Sequence, residues 1–159
     1  HEFDSWFFPR TGDRAETGVG AAKGTAVNVP LPGGIGDERW LEGLRAEILP
    51  RVREFGPQVL VTQLGADTHV SDPLASLQLT THAYREAARD LHELAHEACA
   101  GRWLATGGGG YSLTAVPRAW AIYFAEMCGT GLPDELPEGF VRISEQRLGR
   151  TVPTRLDDR

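Results

Sequence analysis

Apolar positions along this 159-residue chain fall into short runs with two different periods. Between residues 37 and 55, Trp40, Leu41, Leu44, Ile48, Val52 and Phe55 recur at roughly helical spacing. Pro50 inside that stretch predicts a kink or a break into two helices. The run "QVLVTQL", Gln58 to Leu64, is compact and suits a buried strand. From residue 81 to 100, Tyr84, Ala87, Ala88, Leu91, Leu94, Ala95 and Ala98 line one side of an amphipathic helix. Gly101 stands where a helix C-terminal glycine is expected. "RWLAT", Arg102 to Thr106, reads as a second short strand, and "AVPRAWAIYFAEMCG" as a closing helix ending at Gly129. "TAVNVPLP", Thr25 to Pro32, has short strand character that stops at its prolines. Residues 9 to 24 read as a loop, and the last thirty are polar and proline-punctuated, with no firm element.

The order strand, loop, helix, strand, loop, helix predicts an α/β fold with parallel strands joined by crossover helices. Both unusual loops, "GADTHVSDP" and "TGGGGYS", then follow strands at their C-terminal ends. That edge of an open α/β sheet is where ligands bind. Asp67 and Tyr111 are therefore expected to face one crevice although 44 positions separate them.

Composition narrows the function classes only modestly. The chain is 41% hydrophobic and 24% charged with a net charge of −6, as in a soluble globular domain. That acidity argues against nucleic acid or an anionic membrane as the main partner. Cys99 and Cys128 form neither a zinc spacing nor a disulfide framework, so a cytoplasmic location is the expectation. No apolar run is long enough to span a bilayer, and no signal peptide is visible. The opening "HEFDSWFFPR" lacks an initiator Met and reads like the middle of a protein.

Candidate chemistry gathers in the two loops and in one helix. Four consecutive glycines, Gly107 to Gly110, are costly to order, because each loses more backbone freedom on folding than any other residue. The run lacks the Lys-Ser/Thr of a phosphate-binding P-loop and the spacing of a dinucleotide fingerprint. A phosphate contact at the following helix N-terminus stays open. Tyr111 is either ordinary packing with a satisfied hydroxyl or a chemical group aimed by the glycines. Asp67 is either a turn residue or a hard ligand for a divalent metal. On the long helix, His92, Glu93 and His96 fit the H-E-x-x-H template of zinc proteases. They continue the charged stripe of Arg85 and Arg89, however, while Leu91, Leu94 and Ala98 form the buried face, so surface coincidence is the better reading.

Four strings in register carry a family likeness: "FFPRTG", "AKGTAVNVPLPGGIGDERW", "QLGADTHVSDPLASLQLTTHAY" and "TGGGGYSLTAVPRAWAIYFAEM". From His1 to about Gly129 the chain resembles the C-terminal half of the histone deacetylase superfamily, most of all its acetoin-utilisation (AcuC-type) branch. The resemblance implies a three-layer arginase/deacetylase-like α/β fold with a parallel sheet. It makes residues 1–129 the C-terminal portion of the catalytic domain and residues 130–159 the tail of the same domain. It also implies a zinc-dependent hydrolase that removes acetyl groups from lysine side chains. Asp67 matches a zinc ligand, and Tyr111 a catalytic residue whose hydroxyl stabilises the oxyanion. Phe8 matches an aromatic wall of the acyl-lysine tunnel and Leu74 a residue at its rim. Gly109 and Gly110 would let the backbone pack close to the channel and let Tyr111 swing over substrate.

Departures from the family pattern matter as much. Paired catalytic histidines and an Asp-x-His that supplies two further zinc ligands belong upstream of the segment matching His1. One carboxylate is not a catalytic zinc site, which takes three protein ligands and one open position. The 159 residues alone are therefore expected neither to hold zinc tightly nor to catalyse, and the expected partners are the remaining half of the domain and an acetylated substrate. His69 reads as a loop residue facing substrate. Arg10 stands where relatives usually carry glycine, which predicts an altered local loop. Besides acetyl-lysine, small acetylated amines such as acetylpolyamines are an alternative substrate class, and a non-catalytic acyl-binding module is another.

Overall fold

The computed structural model describes residues 1–4 and 6–158. Its first regular helices are α1 (Asp37–Gly43) and α2 (Leu49–Phe55), linked without a break by a π-helical stretch over Leu44–Ile48. Pro50 follows directly on this stretch, in the first turn of α2. The wide turn thus absorbs the proline that the sequence marked as a break.

The centre of the fold is one βαβ unit. Strand β1 (Leu60–Gln63) pairs in parallel with β2 (Trp103–Thr106), and α3 (Thr81–Cys99) makes the crossover between them. The register sets Leu60 beside Trp103 and Val61 beside Leu104. Leu60 packs with Leu49, Leu94, Ala95 and Cys99, so one face of the sheet is buried against α2 and α3. The register pair Val61 and Leu104 faces the other way, 62% and 55% exposed. Parallel sheets ordinarily bury both faces. This bare strip is therefore a surface on which more protein is expected to pack.

Helix α3 is the spine. Thr80 caps its N-terminus by accepting from the His82 amide, and Ala100 and Gly101 close its C-terminus in left-handed conformations, φ 51° and 77°. Glycine is free of the Cβ penalty there, which is why Gly101 marked the helix end. Tyr84, Ala87 and Ala88 of α3 pack against Ala119, Ile122 and Tyr123 of α4 (Ala115–Met127). The alanines on both helices let the backbones approach closely. Leu156 near the C-terminus is buried in the same cluster.

Two regions differ from the sequence reading. Thr25 to Pro32 forms no strand; Leu31 alone makes a bridge, parallel to Glu2. Pro30 and Pro32 flank it without amide donors, so a ladder cannot propagate. The polar C-terminal stretch contains a further helix, α5 (Glu138–Leu148), preceded by Pro137 and ended by Gly149 at φ 64°. Its only buried residue is Ser144, which is why hydrophobic periodicity did not reveal it.

Candidate functional site

Both loops leave the C-terminal ends of the two strands, and they are stitched together. The pairing continues past the strands through Leu64 N–H to Thr106 O (2.9 Å) and Ala66 N–H to Gly109 O (2.7 Å). From α4, Trp120 Nε1–H donates to Leu64 O at 2.8 Å.

The glycine run is explained by what lies against it. A Cβ on Gly107 would stand 3.0 Å from the Trp120 ring, and one on Gly108 2.5 Å from the Gln63 side chain. A Cβ on Gly109 would stand 2.0 Å from Asp67 Oδ2. Gly110 combines φ 134° with a would-be contact of 2.7 Å to Val116. A Cβ at Gly107 or Gly109 would have to shift the Trp120 ring or the Asp67 carboxylate, one at Gly108 would meet only the movable end of the exposed Gln63 side chain, and Gly110 is also conformationally barred. Hence the four glycines bring one loop's backbone down onto the other's carboxylate.

Asp67 is partly buried, and its carboxyl is pushed above the usual carboxylate range, first by burial and then by the neighbouring charges of Asp72 and Glu2. A half-desolvated carboxylate among like charges suits a bound cation, which would restore its charged form. A divalent cation therefore fits Asp67 as one ligand. Among the described residues, no group of three or more His, Cys, Asp or Glu side chains is placed to hold a metal.

Tyr111 follows the glycines and is 57% exposed. Its backbone N–H donates to Asp72 Oδ2 at 2.8 Å. The other oxygen of that carboxylate, Oδ1, accepts from the Leu74 and Ala75 amides at 2.9 and 3.1 Å. Leu74 is thereby held, 63% exposed, by the same group that holds Tyr111. Asp72 was passed over in the sequence, although its Asp-Pro pair is a turn signal. Phe8 is 85% exposed in a turn whose hydrogen bonds are local, Phe7 N–H to Asp4 O and Arg10 N–H to Phe7 O. Arg10 there adopts φ 66°, the left-handed conformation that glycine favours.

His69 does not face substrate. It is 2% exposed, stacked on Tyr84, with Nε2 3.0 Å from Asp158 Oδ2. Nδ1 accepts from the Ser71 amide at 3.1 Å, so the proton sits on Nε2 and is donated to Asp158. Ser71 Oγ reaches both His69 Nδ1 (2.9 Å) and Ser112 Oγ (3.0 Å), next to Tyr111. Asp158 also accepts from the Thr81 amide and from buried Arg118. Burial alone would raise the Asp158 carboxyl; the bonds from His69, Arg118 and Thr81 outweigh it and hold it far below the usual range. Nothing in the polar C-terminal sequence signalled this anchor.

The histidine pair on α3 lies elsewhere. His92 packs beside Trp103, the first residue of β2, and so lies at the opposite end of the strands from Asp67. His92 Nε2 and His96 Nε2 are 3.0 Å apart, and His92 Nδ1 is 3.3 Å from Glu126 Oε1. His92 thus ties α3 to α4, and His96 contacts His92 within α3.

Residues 1–127 match the histone deacetylase domain family. The acetoin utilization protein AcuC of Bacillus subtilis is 37% identical over 99% of the chain, which covers 41% of that protein. A probable deacetylase of Archaeoglobus fulgidus is 40% identical over 79% of the chain and 35% of its own length. Histone deacetylase 8 of Xenopus tropicalis is 33% identical over 87% of the chain and 36% of its own length. Among solved structures, the HDA15 HD domain superposes with a TM-score of 0.75 at 25% identity, covering 94% of this chain and 41% of that one. The chain spans about two fifths of the length of these relatives.

Proposed function

The chain belongs to the histone deacetylase family, and from that premise we propose that the protein carrying it is a zinc-dependent hydrolase of acetyl-lysine side chains. The observation that supports this most is the contact between the two loops. The Asp67 carboxylate lies against Gly109, and two residues further on Tyr111 stands exposed. Asp67 would be one of the zinc ligands; the others would come from outside these residues. Bound zinc supplies Lewis acidity toward the amide oxygen and toward water.

The chain's own residues have separate tasks in this scheme. The Tyr111 hydroxyl donates a hydrogen bond to the amide oxygen, and the bond strengthens as negative charge develops there. Gly109 and Gly110 bring the backbone low enough for the substrate's alkyl stem to pass. Leu74, at the rim, offers apolar surface to that stem, and Phe8 would join it as a second apolar wall. Residues 130–159 would complete the domain through Leu156 and Asp158. The remaining portion of the domain would cover the exposed Val61–Leu104 strip. No helix of the described residues is long and apolar enough to cross a membrane.

Acetate release by the full-length protein tests the substrate class. The proposal expects an acetyl-lysine peptide to be hydrolysed with a higher kcat/KM than a free acetylated polyamine. The reverse order would move the assignment to small amines, and no release from either would contradict it.

A further inference from the structure

Among the described residues, Asp72 is the buried carboxylate that bonds both loops. It is 9% exposed, and it belongs to neither the metal-ligand position nor the substrate rim. Its three hydrogen bonds all come from backbone amides. Leu74 and Ala75 donate to Oδ1, closing a turn within its own loop. Tyr111, 39 positions away, donates to Oδ2. A charged acceptor strengthens each of these bonds over a neutral one. The amide it holds is that of Tyr111 itself, so the carboxylate fixes where the tyrosine's Cα starts. Gly110, immediately before it, has φ 134° and cannot constrain that position through a side chain. The next link, Ser71 Oγ to Ser112 Oγ, joins two exposed hydroxyls and is the weaker stitch.

We infer that Asp72 is the positioning residue for Tyr111, setting its hydroxyl over the substrate amide through the backbone amide rather than through contact with substrate. The inference rests on the role given to Tyr111 above. The backbone bond that pins the glycine run, Ala66 N–H to Gly109 O, stops two residues short of the tyrosine, and Asp72 supplies the restraint at Tyr111 itself. A displacement of about 1 Å at a reacting group costs on the order of 10²-fold in rate. Losing the anchor should therefore lower kcat and leave KM, which reports the rim and stem contacts, nearly unchanged.

Asp72→Asn is the discriminating variant. Asparagine keeps the size and can still close the turn to Leu74 and Ala75 through its one carbonyl oxygen. Its amide nitrogen then faces the Tyr111 N–H and cannot accept from it. In the full-length protein the variant should lose about 10²-fold in kcat with KM within about two-fold, and amide hydrogen exchange should speed up at Tyr111 but not at Ala75. The cycle with Tyr111→Phe separates this from general damage. Once the hydroxyl is gone, Asp72→Asn should slow the enzyme no further. If Tyr111→Phe slows turnover as expected and Asp72→Asn either turns over normally or adds its full loss in the double variant, Asp72 does not act through Tyr111 and the inference is overturned. If Tyr111→Phe keeps full activity, the role of Tyr111 falls first, and the inference with it.

Discussion

Gly109 lies so close to Asp67 that a methyl group on its Cα would stand 2.0 Å from Oδ2. The two residues come from loops after different strands, and the Ala66 N–H to Gly109 O bond locks their spacing. A glycine is therefore required at position 109 by a carboxylate, not by a turn; the only one of the four with a left-handed φ is Gly110.

Gly109→Ala should displace the Asp67 carboxylate, because the clash is with the end of that side chain. In the full-length protein, zinc affinity should fall by about 10–100-fold, the range for lost support of a ligand. Asp67→Asn should lower it as well. Metal content after dialysis against graded zinc checks both, and wild-type affinity in Gly109→Ala would contradict the contact.

Asp158→Asn should destabilise the fold by about 3 kcal/mol at pH 7, since it leaves Arg118 buried without its charged partner. The sign with pH follows from the lowered carboxyl. A folded-state value below the unfolded one, about 3.9, gives stability that is present above that value and lost as pH falls through the folded one. The melting-temperature gap between wild type and variant should be wide at neutral pH and should narrow below about pH 4. A gap independent of pH would show that the charge is not what Asp158 contributes.

Arg10→Gly should stabilise the protein by about 1 kcal/mol, because φ 66° carries a steric cost for any side chain. Thermal unfolding of the two forms measures it. An unchanged or lower melting temperature would mean that the exposed Arg10 side chain makes up the difference.

Much of the site was legible in the sequence because its signals are local. Period-3.6 spacing marked α3, a compact apolar run marked β1, and strand–loop–helix order placed both loops at one edge. Four glycines announced a close approach, although only the structure shows that Gln63, Asp67, Trp120 and Val116 are what they approach. The unread parts depend on partners far apart in the chain. Asp72 to Tyr111 spans 39 positions and His69 to Asp158 spans 89. Polar side chains in a loop and a tail carry no period, so nothing near them foretells that they meet. His69 looked available to substrate for this reason, whereas it is buried with Tyr84 stacked on its ring and Asp158 bonded to Nε2.

The central claim is that Tyr111 supplies the hydroxyl that stabilises charge in the reaction, beside a metal held in part by Asp67. Tyr111→Phe in the full-length protein tests it most directly, with kcat and bound zinc measured on the same sample. The account predicts a loss of about 10²–10³-fold in kcat with zinc content unchanged, because the ring remains and only the oxygen is removed. Turnover within a few-fold of wild type would contradict it, and so would a loss of activity that simply follows a loss of zinc.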